Sequence, residues 1–72
     1  MNKNEIISSI KQYCKANKLT YVDDVTVGQN ILVLVLGTDS ANKLNECLTN
    51  LELEHTTPTV VSDAIGSYIK MH

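Results

Sequence analysis

Arginine, phenylalanine and tryptophan are absent from this 72-residue chain, and Tyr13, Tyr21 and Tyr68 are its only aromatic residues. Nucleic-acid-binding surfaces draw on a basic patch, on arginines that pair two-pronged with bases or phosphates, and on rings that stack. Six lysines against eight acidic residues leave a formal net charge of −2, so direct binding to nucleic acid is not expected. Long apolar runs are also lacking. The longest covers residues 31–36, far short of the roughly 20 residues of a membrane span. The residues Met1, Asn2, Lys3, Asn4 and Glu5 show neither an apolar signal core nor a small-residue cleavage site, so a cytoplasmic protein is expected.

Cysteine and histidine are scarce as well. Cys14 and Cys47 stand far apart, too few for a disulfide framework and without metal-ligand spacing; they read as small buried hydrophobes. His55 and His72 have no partners at ligand spacing, so no metal site is expected. Nor is His55 expected to be catalytic, since no nucleophile or carboxylate is placed beside it. A chain of 8.0 kDa makes one domain with a thin core.

What is present is amphipathic patterning. Ile6, Ile7, Ile10, Tyr13 and Cys14 recur at helical spacing. Asn2 followed by Glu5 resembles a capping box, so a first helix is predicted over residues 3–17. Leu44, Cys47, Leu48 and Leu51 form a second apolar stripe behind Thr38, Asp39 and Ser40, giving a helix over residues 40–53. Pro58 interrupts a loop over 54–61. Ser62 and Asp63 then cap a helix over 62–71 whose inner face is Ile65, Tyr68 and Ile69.

Residues 18–39 are ambiguous on their own chemistry. Val25, Thr26 and Val27, then Gly28, Gln29 and Asn30, then the apolar run, read by propensity as a β-hairpin. No third strand is evident to support it, and an isolated hairpin is marginal.

The string Leu36-Gly37-Thr38-Asp39-Ser40 resembles the L-G-x-D-S signature of acyl carrier proteins, and the likeness extends along the chain. Leu32 and Leu36 look like the family's loop-anchoring leucines. Pro58-Thr59-Val60 and Asp63-Ala64-Ile65 with Tyr68-Ile69 look like the opening of its last helix. The resemblance implies an all-α fold: a small three- to four-helix bundle with a long first loop over 18–39 and a shortened or missing third helix. It implies a core containing Ile6, Ile10, Cys14, Leu36, Leu44, Leu48, Ile65 and Ile69. It further implies 4′-phosphopantetheine on an exposed Ser40, with Gly37 and Asp39 completing the attachment motif. Ala41, Asn42, Asn45 and Glu46 would then meet partner enzymes.

The physical rationale is that a helix entrance offers free N–H groups to a phosphodiester. A tethered thioester would be carried between enzymes, making the protein a monomeric carrier and not itself an enzyme. Its partners would be a phosphopantetheinyl transferase, an acyl- or aminoacyl-loading ligase and downstream synthases. The weak acidity of the second helix points to polyketide, nonribosomal peptide or specialised fatty-acid biosynthesis. Departures from the family are Ala41 in place of a large apolar residue, polar Glu46 and Asn50, and a short span between Ser40 and Pro58. Two alternatives stand beside the carrier. One is a small non-enzymatic α+β interaction module, an adaptor or inhibitor, in which residues 25–36 are a hairpin. The other is a carrier fold that is not modified.

Overall fold

The computed structural model describes residues 2–71, so His72 lies outside the described residues. Helix α1 (Lys3–Ala16) is followed by β1 (Tyr21–Val27) and β2 (Asn30–Val35). Helix α2 (Thr38–Asn50), β3 (Thr59–Val61) and β4 (Ala64–Ile69) complete the chain. The strands form one antiparallel sheet in the order β1-β2-β4-β3. This is an α+β fold, and it overturns the all-α bundle expected from the resemblance.

The first helix begins and runs as expected. The Asn2 Oδ1 accepts the Glu5 N–H at 2.9 Å, and the Asn2 amide donates to Glu5 Oε1 at 3.2 Å. Ile6, Ile10 and Cys14 form its buried stripe. Its end is closed by two reversed bonds: Leu19 N–H donates to Cys14 O at 2.8 Å and Lys18 N–H to Lys15 O at 3.4 Å. These are the bonds of a Schellman motif, and they force Lys18 to φ 56°. Helix α2 closes identically through Leu53 to Leu48 and Glu52 to Thr49, with Glu52 also at φ 56°. It therefore stops at Asn50 and begins at Thr38, two residues before the expected start.

The predicted loop over 18–39 contains the hairpin instead. Gly28 sits at φ 63° in the two-residue turn joining Val27 and Asn30, the position where primed hairpin turns favour glycine. The missing third strand is β4, lying where a helix over 62–71 was predicted. Ser62, at φ 57°, and Asp63 form the turn joining β3 to β4 rather than a helix cap. Residues with capping side chains are also turn residues, so this signal serves both structures. Ile65, Ser67 and Ile69 share the inner face of β4, and polar Ser67 breaks the alternation that would reveal a strand.

Both helices cover one face of the sheet. Ile31, Val33, Val35 and Ile69 from that face meet Ile6, Ile10, Cys14, Ala41, Leu44 and Leu48. Leu36, expected in the core, is 44% exposed because it follows Val35 on the opposite side of the strand. Ile65 is half-buried against the core; the other expected core residues are buried.

Candidate functional site

The strand β2 is apolar at every position from Ile31 to Val35. A strand of this kind asks for cover on both sides, as in sheets packed between two layers. Only its inner face is covered. The outer face carries Leu32 and Leu34, both half-buried by their neighbours.

Register builds this face row by row. Leu32 lies between Val25 on β1 and Tyr68 on β4. One outer-face step away, Leu34 lies between Asp23 and Gly66, with Thr59 of β3 beyond. Val27 pairs with Asn30 at one end, and Val61 with Ala64 at the other. Val25 is 40% exposed, Val27 47% and Tyr68 39%. Gly66 keeps the two leucines low over the sheet: a Cβ there would lie 2.6 Å from Leu34 Cδ2 and 3.2 Å from Leu32 Cδ1. The result is a shallow apolar floor edged by Asp23.

The sheet edges are less inviting to another strand. β1 bulges at Val22 and carries Asp23 and Asp24 at its middle; β3 has three residues. Beyond β3, the lower half of β4 is bonded by residues 54–56: Thr56 N–H donates to Tyr68 O, Tyr68 N–H to Thr56 Oγ1, and Lys70 N–H to Glu54 O. Bulges, edge charges and short edge strands all discourage strand addition.

The residues singled out in the sequence lie elsewhere, around α2. Gly37 is its N-cap at φ 89°, without a side-chain capping bond. Thr38, Asp39 and Ser40 form the first turn, so Ser40 does stand at the helix entrance, but it is half-buried rather than exposed. Ala41 is 2% exposed, its side chain part of the core and so not at a partner-facing surface. Asn42 and Glu46 are exposed. Asn45 is engaged within the fold, its Oδ1 lying 2.9 Å from His55 Nε2, while His55 Nδ1 lies 2.7 Å from Leu53 O. His55 therefore clasps the loop after α2 to the helix.

Other reactive groups are buried or paired. Burial pushes the Cys14 and Cys47 thiols above their ordinary range, with Cys14 adding to the effect on Cys47, so neither is primed as a nucleophile. Tyr21 packs against the core beneath Lys11, whose Nζ is 5.7 Å from its ring centroid and 3.5 Å from Asp24 Oδ1. Burial first, and then the neighbouring Asp24 carboxylate, raise the Tyr21 hydroxyl's pKa. Asp24 is felt there electrostatically, but the hydroxyl makes no hydrogen bond of acceptable geometry. A shallow groove of about 370 Å³ runs along α1 past Ile7, Lys11 and Lys15. Among the described residues no three histidine, cysteine or acidic side chains cluster as metal ligands, and no helix is long and apolar enough to cross a membrane.

No protein-family model matches the chain, and no curated protein matches it.

Proposed function

We propose that this protein is a small non-enzymatic α+β interaction module that docks a protein partner on the outer face of its sheet. The observation supporting this is the strand β2: both of its faces are apolar, and the two helices cover only one. Contiguous exposed apolar surface of this kind marks interaction sites in soluble proteins. A benzophenone amino acid at position 68 tests the reading when the protein is irradiated in its own cells. It is expected to yield an adduct of discrete mass that Leu32→Asp abolishes, whereas the same probe at Lys43 on α2 yields none. Equal labelling at both positions, or adducts indifferent to Leu32→Asp, would contradict the reading.

Phosphopantetheine attachment at Ser40 is a second reading. Its support is the place of the hydroxyl in the first turn of α2, where free N–H groups favour a phosphodiester; the half-burial of Ser40 counts against it. Intact mass measured after incubation with coenzyme A, magnesium and a broad-specificity transferase separates the two. One phosphopantetheine increment on the Ser40 peptide would favour the carrier, and an unchanged mass would remove it.

A further inference from the structure

Resting on the docking face just described, we infer that its occupant is an amphipathic helix of a partner protein, with lysine or arginine flanking its apolar stripe. The division of charge between the two sides of the sheet supports this. Lys3, Lys11 and Lys15 lie on α1, Lys18 in its closing turn and Lys43 on α2. Five of the six lysines therefore belong to the helix layer, on the far side of the sheet from the open face. Lys70 alone stands on the open side, exposed one residue beyond β4 and continuing the alternation of Tyr68.

The acidic residues are divided differently. Glu5, Asp24, Asp39, Glu46 and Glu52 belong to the helices, their closing turns or, for Asp24, the strand side that meets Lys11, and they balance the five lysines there. The whole net charge of −2 thus lies on the open side. The His55–Ile69 bridge sets Glu54 opposite Lys70, and those two charges cancel. Asp23 is exposed on the outer face beside Leu34, and Asp63 is exposed in the β3–β4 turn at the same end of the sheet. Neither has an ion-pair partner among the described residues. An open face of this sign repels nucleic acid or an anionic membrane surface and attracts a basic partner.

Shape and size select a helix. The bulge and charges of β1 and the shortness of β3 discourage an added strand. Four strands about 4.8 Å apart and about 20 Å long give a face under about 400 Å², so a second sheet packed on it buries less than about 800 Å² in all, short of a stable interface. One helix about 10 Å across lies over the central strands β2 and β4, and a length of about 20 Å holds about 13 of its residues. Its apolar stripe covers Leu32, Leu34 and Tyr68, while its long flanking side chains reach the rim at Asp23 and Asp63. The contact is small and fits a transient partner bound at about 10–100 μM. With the helix in place β2 is covered on both faces, the setting its sequence asks for.

Fluorescence anisotropy with the full chain tests the inference. The probe is a fluorescein-labelled helical peptide of about 13 residues, with leucine at i, i+3, i+4 and i+7 and lysine on either side of that stripe. Its counterpart carries glutamate at the lysine positions. The lysine peptide should bind at about 10–100 μM and the glutamate peptide at least about ten-fold more weakly. A benzophenone at position 68 should crosslink to the lysine peptide, and Leu32→Asp should abolish both signals. Asp23→Asn combined with Asp63→Asn leaves the apolar floor intact and keeps an acceptor for the Asp24 N–H, now held at 2.8 Å. That variant should narrow the preference at least about three-fold. No binding of the lysine peptide by the folded protein, equal binding of both peptides, or a preference indifferent to the aspartate changes would overturn the inference. If the position-68 probe then still captures a partner of discrete mass in cells, the docking face stands and only the basic helix is rejected; if that adduct fails too, the docking face falls with it.

Discussion

Among the described residues Ser67 is the only buried polar one, at 1% exposure and with its hydroxyl unpaired. An unmade buried hydrogen bond costs about 1–3 kcal/mol. Ser67→Ala should therefore stabilise the fold by about 1 kcal/mol, raising the melting temperature about 4–8 °C; a fall would show that the hydroxyl is satisfied. Gly66, its neighbour, should accept a side chain only at a cost. Gly66→Ala displaces the end of the half-buried Leu34 side chain and brings a methyl to 3.0 Å from the Val33 carbonyl oxygen, and is expected to cost about 1 kcal/mol in a urea melt. Gly28→Ala meets nothing within 4 Å and costs only its positive φ, about 1 kcal/mol. Ser67 and Gly66 also explain why β4 was illegible: the first puts a hydroxyl where the inner face should be apolar, and the second removes a side chain from the outer face. What remained was Ile65, Tyr68 and Ile69 at helical spacing.

The helices end without the glycine that would have announced them. Lys18 and Glu52 occupy the left-handed position of the two Schellman motifs, which costs an L-residue about 1–2 kcal/mol. Lys18→Gly and Glu52→Gly should each raise stability by about 0.5–1 kcal/mol after the added chain entropy of glycine, and the two gains should add. No gain in a chemical melt would mean that these ends relax in solution. The first helix was legible almost to the residue because stripe, cap and length agreed. The hairpin was legible in its own chemistry, through Gly28 and the β-branched residues around it. It gave way to the loop that the carrier resemblance implied, and no third strand was evident to support it, because β4 lies beside it in space but comes about thirty residues later in sequence. The string at residues 36–40 does begin a helix, as expected. It does so in an α+β setting, and Ala41 beside it belongs to the core.

At the scale of the molecule, a two-layer fold leaves one sheet face to solvent, and here that face is apolar. Nothing local could reveal this, because Leu32 and Leu34 read the same whether their side of β2 is covered or open. The buried thiols on the covered side give the fold a pH dependence of definite sign. Burial raises both above their ordinary value of 9.0, so the folded state holds these protons more tightly than the unfolded chain. Their contribution is complete below about pH 9 and is lost as pH rises through the folded values, with Tyr21 acting the same way at higher pH. Unfolding free energy from urea melts should be level just below pH 9 and decline above it; a rise would contradict the burial of these groups.

The docking face itself is tested most directly by the benzophenone probe at position 68, which stands on the outer face beside Leu32. An adduct of discrete mass that Leu32→Asp abolishes should form there, and none should form from the same probe at Lys43 on α2. Equal labelling at both positions, or adducts indifferent to Leu32→Asp, would contradict docking through the open face of the sheet.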